Sequence, residues 1–169
     1  MRISCWACVP PNLHVIGTMN SADRSIALLD TALRRRFHFK ELIPNVNLLR
    51  PVDGVDIGKA LEGLNRRIEF LFDRDHQIGH AYFMECTTRA ELESVMREKV
   101  IPLLIEYFYV DWSKIWRALG EPEGSEGAFL RREKLAPPNA DEDSEFETER
   151  WRYTVLEKFS DNAFRQLAR

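Results

Sequence analysis

The apolar residues Ile57, Leu61, Leu64, Ile68 and Leu71 step by four, three, four and three. That spacing draws one stripe along an α-helix, and no strand can place all five on one face. A helix striped in this way has to bury that side, so it calls for other elements to cover it. Candidates follow at once. Thr88 with Glu91 makes a capping box, T-x-x-E, at the start of a helix carrying Leu92, Val95, Met96 and Val100. Pro102 should kink or restart that helix, and "LLIEYFY" continues its apolar face. Asp111 can cap a further helix with Trp112, Ile115, Trp116 and Leu119 on one side and Gly120 as its stop. Residues 46–120 are therefore expected to form a small helical domain.

The flanks have a different texture. "LHVIG" (Leu13–Gly17) follows Pro10-Pro11 and reads as a buried strand. "TMNSADR" is the loop after it. "SIALLDTALRRR" carries Ile26, Leu29 and Leu33 at helical spacing, and "FHFKEL" alternates as a strand would until Pro44 ends the block. Strand, loop, helix and strand in this order belong in an α/β layer, assigned to residues 1–45. Residues 121–169 open with "EPEGSEG", read as a linker. "AFLRREKL" and "RWRYTVLEKF" read as two strands of a small β-hairpin extension, and "SDNAFRQLAR" as a short terminal helix. Between the strands, "PPNADEDSEFETE" holds six acids in thirteen residues and is expected to be a mobile loop.

Composition narrows the function classes. The net charge of -3 argues against a generally nucleic-acid-binding surface. The charge is uneven, at +3 over residues 1–45 and -7 over residues 121–149, so any basic surface is local and N-terminal. No apolar run approaches the ~18 residues of a membrane span, and "MRISCWACVPPN" does not read as a signal peptide. These features point to a cytoplasmic chain. Cys5 and Cys8 form a C-x-x-C, but no second ligand pair at similar spacing completes a zinc site. With Cys86 they make an odd count and no disulfide framework.

Several familiar chemistries are missing. A phosphate loop needs G-x-x-x-x-G-K-[ST] after a strand. The nearest match, Gly54-Val-Asp-Ile-Gly58-Lys59-Ala60, is one residue short, lacks the hydroxyl and follows no strand. "IEFLFDRD" mimics a metal-holding strand, but helical periodicity claims Ile68 and Leu71. The four histidines are scattered, and no Ser/His/Asp or Cys/His constellation is visible.

What remains is "GTMNSADRSIALLDTALRRRF", Gly17 to Phe37. Taken singly, Asn20 and Asp23 are ordinary turn and cap residues. Arg34, Arg35 and Arg36 would be a solvated helix end suited to the helix dipole. Together, on strand-loop-helix-strand, they fit phosphate chemistry. An amide at a strand tip can orient a water, and an arginine beyond the next helix can reach a neighbouring subunit.

At these residues the chain resembles the McrB-type AAA+ NTPases, motor subunits of 5-methylcytosine-specific restriction systems. Asn20-Ser21-Ala22-Asp23 is similar to that family's N-T/S-A-D, and "ALRRRF" to its arginine-finger segment. "QIGHAYF" (Gln77–Phe83) resembles "RIGHSYF", with Gln77 where the family has arginine. "VIPLLIEYFYVDW" resembles its last lid helices, and the whole resemblance covers residues 9–120. It implies an α/β plus α fold: the distal part of an AAA+ core (sensor I strand, arginine-finger helix, final strand), a helical lid and a β-hairpin extension. It implies that Asn20 is the sensor I residue and that Asp23 holds the loop or the adjacent arginines. Arg35 and Arg36 would act in trans on a neighbour's site, and His80 would make the lid's phosphate contact. The implied cofactor is ATP or GTP with Mg²⁺. The implied partners are further copies in a ring, expected to be a hexamer, a partner nuclease subunit, and DNA through the complex. The family's phosphate loop and metal-binding acids precede the matched region, so the chain is expected to be a C-terminal fragment that neither hydrolyses nor tightly binds nucleotide alone. The rival reading is a non-enzymatic module that docks on a full-length ring and presents Arg35 and Arg36.

Overall fold

The computed structural model describes residues 10, 12–20, 35–124, 126–136 and 149–169. The chain forms two compact units, Met1–His38 and Phe39–Arg169. In the first, residues 12–20 run without strand pairing, and Leu13, Val15 and Ile16 are 58%, 65% and 93% exposed. The strand expected at Leu13–Gly17 is thus not formed. A strand exists only through a ladder, and among the described residues none supplies one here. "FHFKEL" likewise carries no strand. Most of the expected helix before it lies outside the described residues, and a helical turn at Arg35 and Arg36 is the part that is described.

The second unit is built around α1 (Ile57–Leu71), as its apolar stripe requires. Ile57, Leu61, Leu64 and Ile68 are buried. Gly54, at φ 77°, turns the chain ahead of α1, and the Asp56 carboxylate caps it by accepting from Lys59 N–H at 3.0 Å. The false phosphate loop therefore starts its helix with a bound carboxylate already in place.

Thr88 and Glu91 close the capping box in both directions and begin α2 (Arg89–Val95). A π-helical turn, Met96–Val100, joins α2 to α3 (Ile101–Tyr107). The kink expected at Pro102 takes this form: Pro102 has no N–H to donate, and the widened turn just before it absorbs the missing bond. Asp111 accepts from Lys114 N–H at 3.2 Å and begins α4 (Trp112–Ala118), and Gly120 ends it at φ 76°. No helix among the described residues is long and apolar enough to cross a membrane.

Beyond residue 120 the two expected strands form. β1 (Leu130–Lys134) pairs antiparallel with β2 (Trp151–Val155), with Leu130 opposite Val155 and Lys134 opposite Trp151. Residues 137–148 of the acidic segment lie outside the described residues. The terminal helix α5 (Ala163–Leu167) lies directly on α1, where a Cβ on Gly63 would overlap the Leu167 carbonyl. Arg67 ties the two ends together: Nε donates to Ala118 C=O at 2.9 Å and a terminal nitrogen to Leu167 C=O at 2.8 Å. Trp112 stacks on Tyr153 at 4.5 Å. Phe129, Leu130, Phe164 and Leu167 share one core with Leu61, Leu64 and Trp116. Packing therefore runs straight across the boundary that composition draws at residue 120.

Candidate functional site

Asn65 lies on the buried side of α1, four residues after Leu61 and three before Ile68, and is 6% exposed. An amide in that place is costly unless both of its halves are hydrogen-bonded. Both are. Ile78 N–H donates to Asn65 Oδ1 at 2.7 Å, and Asn65 Nδ2 donates to Ile78 C=O at 2.9 Å. Asn65 thus serves buried Ile78 as a neighbouring strand would.

The turn leading to Ile78 is held as tightly. Asp73 Oδ1 accepts from His76 N–H at 3.1 Å and lies 2.5 Å from His76 Nδ1. The buried His76 ring stands edge-on to Phe72 at 4.2 Å and to Tyr107 at 4.7 Å. Gln77, where the family resemblance leads one to expect arginine, donates to Glu69 Oε2 at 3.1 Å. Together these contacts fix the backbone from Asp73 to Ile78, two residues before His80.

His80 opens a short 3-10 turn, His80–Phe83. Its Nδ1 accepts from Asn45 N–H at 3.1 Å. A ring nitrogen that accepts carries no proton, so the neutral imidazole holds its proton on Nε2. Nε2–H has no hydrogen-bond partner among the described residues. Asn45 is itself fixed, since its Oδ1 accepts from Asn47 N–H at 3.1 Å at the head of the turn Val46–Leu48. Nearby in sequence, Glu41 pairs with Arg74 at 3.1 Å, an exposed contact of little energetic weight. His80 is where the loop after α1 meets the segment that leads into the helices.

The other expected site residues belong to the Met1–His38 unit. Asn20 is exposed, at the end of the described stretch 12–20. Arg35 and Arg36 are both exposed in their helical turn, and Asp23 lies outside the described residues. Among the described residues no group of three His, Cys, Asp or Glu is placed to hold a metal ion, so Mg²⁺ is assigned to no residue here. Cys86 is half-buried, and burial pushes its thiol up, away from a nucleophile's range. The sequence reading overlooked Asn65 and Asn45. The available signal was a lone amide set into the apolar stripe of a helix.

The sequence profile of a family described as "McrB, alpha-helical lid domain" matches residues 56–116. That span runs from the Asp56 cap of α1 to within α4 and contains Asn65 and His80. The chain is also similar to the "Type IV methyl-directed restriction enzyme EcoKMcrB subunit" of Escherichia coli (strain K12). Identity is 34% over 123 aligned residues, covering 61% of this chain and 27% of that protein. The chain thus spans about a quarter of the length of the curated relative that it matches. Residues 56–116 are an McrB-type helical lid, and the chain that carries them is McrB-like.

Proposed function

We propose that the chain contributes to nucleotide hydrolysis in a ring-forming AAA+ motor of a modification-dependent DNA restriction system. The observation that carries the reading is the McrB-type lid at 56–116, whose signature loop holds His80 with Nε2–H as its remaining donor. In this reading Asn20 orients the lytic water in its own subunit's site, and Asp23 steadies that loop. Arg35 and Arg36 reach a neighbour's γ-phosphate, and His80 donates Nε2–H to a phosphate oxygen from the lid. ATP or GTP with Mg²⁺ supplies the reactive phosphoryl group and its charge neutralisation. The phosphate loop and the Mg²⁺-binding acids that hydrolysis also needs are not assigned to any of these residues. A nuclease subunit and DNA are the partners, and the cytoplasm is the compartment.

Two different sites are invoked because the sequence leads one to expect a helix between Asn20 and Arg35. At ~1.5 Å per residue, about ten residues span ~15 Å, too far for one γ-phosphate. The test is made in the longer ring protein, or in a chimera where residues 12–120 replace the aligned segment of the Escherichia coli relative. An arginine finger is worth ~10³–10⁵ in rate. Asn20→Ala and Arg36→Ala should therefore each nearly abolish turnover while leaving nucleotide binding largely intact. Mixing the two variants should restore some activity, since some interfaces then pair an intact Asn20 with an intact Arg36. Normal turnover by Arg36→Ala, or a mixture that never recovers, would sink the assignment in trans.

A further inference from the structure

Besides Glu121, the buried polar side chains among the described residues are Asn65 and His76, and both are spent on the few residues ahead of His80. A core does not need this. An apolar residue at position 65 would pack against Leu61 and Ile68, and a loop with its own turn bonds would need no amide from α1. What the amide secures is one backbone placement at Ile78, held by its N–H and its C=O at once. Two residues on, the His80 ring meets a single backbone donor, Asn45 N–H. That hydrogen bond forms only if the loop arrives at the right height along α1. An error of about 1 Å would lengthen it beyond useful geometry.

We propose that Asn65 is the positioning residue for His80. It fixes the loop so that Nδ1 takes the Asn45 N–H and Nε2–H is left to donate elsewhere. Asn65 touches no ligand and acts through His80, and its relevance to nucleotide rests on the reading of His80 as a phosphate contact. The arrangement has a mechanical corollary. One ring carries both the donor for the ligand and the acceptor for the segment leading into the lid. A charge-assisted bond at Nε2–H polarises the ring and strengthens the acceptor at Nδ1. Anion binding at His80 and attachment of residue 45 to the lid are therefore coupled.

The test uses the full 169-residue chain and reads the Asn45 amide by hydrogen exchange. His80→Ala removes the acceptor, and Asn65→Leu removes both bonds to Ile78. In each, the Asn45 amide should exchange about tenfold faster than in the wild type. Ile115→Val, a core change on α4, is the control for general loosening and should leave the Asn45 amide at its wild-type rate relative to the α3 amides. If Asn65→Leu does not fold, Asn65→Asp keeps an acceptor for Ile78 N–H and loses only the donor, and the same acceleration is expected. An Asn45 amide that keeps its wild-type rate in the Asn65 variant, or in His80→Ala, overturns the proposal. Inorganic tripolyphosphate at millimolar concentration separates the two readings. It should shift the His80 ring resonances of the wild type and strengthen protection at Asn45. A ring that does not respond overturns the phosphate reading of His80, whereas the positioning role is judged by the Asn45 amide alone.

Discussion

Glu121 sits in a stretch, "EPEGSEG", whose composition reads as a solvated linker, yet the residue is 5% exposed. Its Oε1 accepts from Ala128 N–H at 2.6 Å, and a Cβ on Gly127 would overlap both the carboxylate and the Trp116 ring. Burial pushes this carboxyl above its ordinary range, and the backbone N–H groups of Ala128 and Phe129 offset part of that push. The sign of the linkage follows. A folded state that holds the proton more tightly than the unfolded chain is favoured at low pH. Its contribution is complete below the ordinary carboxylate range and is lost as pH rises through the raised value. Relative to Glu121→Gln, which cannot titrate, the wild type should therefore lose stability as the pH is raised from about 4 upward. Urea denaturation of both proteins across that range measures the difference, and a difference that stays flat with pH would refute the argument. Glu121 and Asn65 share a reason for escaping the sequence reading. Pattern analysis registers a polar letter as an interruption, and only the fold reveals the backbone group that the interruption serves. His80 was legible because a short motif surrounds it, but its Asn45 partner was not, since nothing in a sequence pairs residues 35 positions apart.

Elements whose signals are local were the ones most legible. The stripe of α1, the Thr88–Glu91 box and the Asp111 cap each depend on residues within a turn or two, and each forms as the spacing implies. The strand expected at Leu13–Gly17 depends on a neighbour, and alternation or an apolar run says nothing about who that neighbour is. The hairpin β1–β2 was read correctly because both of its strands lie within the chain and pair with each other. One element boundary was visible only in the backbone angles. α3 ends with Val110 N–H donating to Ile105 C=O at 3.0 Å, which places Tyr109 where a helix usually ends in glycine. Tyr109 has φ 50° and its side chain is 85% exposed, so it takes a left-handed backbone while burying little. That conformation costs a non-glycine residue ~1–2 kcal/mol, and glycine gives back ~0.5–1 kcal/mol through its freer unfolded chain. Tyr109→Gly should therefore stabilise the protein by roughly 0.5–1 kcal/mol in a denaturant titration. Destabilisation would mean that the tyrosine ring makes contacts worth more than the strain.

At the scale of the whole molecule, the sequence suggests that residues 46–120 are a unit able to stand alone, with 121–169 an appendage. The periodicity of a helix tells which face is buried but not what covers it, and here part of the cover comes from beyond residue 120. Phe129 and Leu130 are fully buried and Phe164 and Leu167 are each 2% exposed, all four in the core that contains Leu61, Leu64 and Trp116. Gly63 is shaped to receive α5, because any side chain there would collide with the Leu167 carbonyl. Arg67 on α1 would also lose the Leu167 carbonyl that one of its terminal nitrogens now binds. Burying one large apolar side chain contributes ~1.5–3 kcal/mol, so these four account for roughly 6–12 kcal/mol. A domain of this size is stable by only ~5–15 kcal/mol in total. The loss from truncation is therefore of the same order as the whole stability of the domain. A chain cut to residues 39–120 should lack a cooperative melting transition, whereas residues 39–169 should melt in one step, as differential scanning calorimetry would record. The same logic reaches a single methyl group. Gly63→Ala should lower the stability of the full chain by about 1–3 kcal/mol, as overpacking against backbone typically does, yet have little effect on a 39–120 fragment already without α5. A 39–120 fragment that melts cooperatively near the temperature of the longer chain would show that the lid carries its own stability and that α5 only rests upon it.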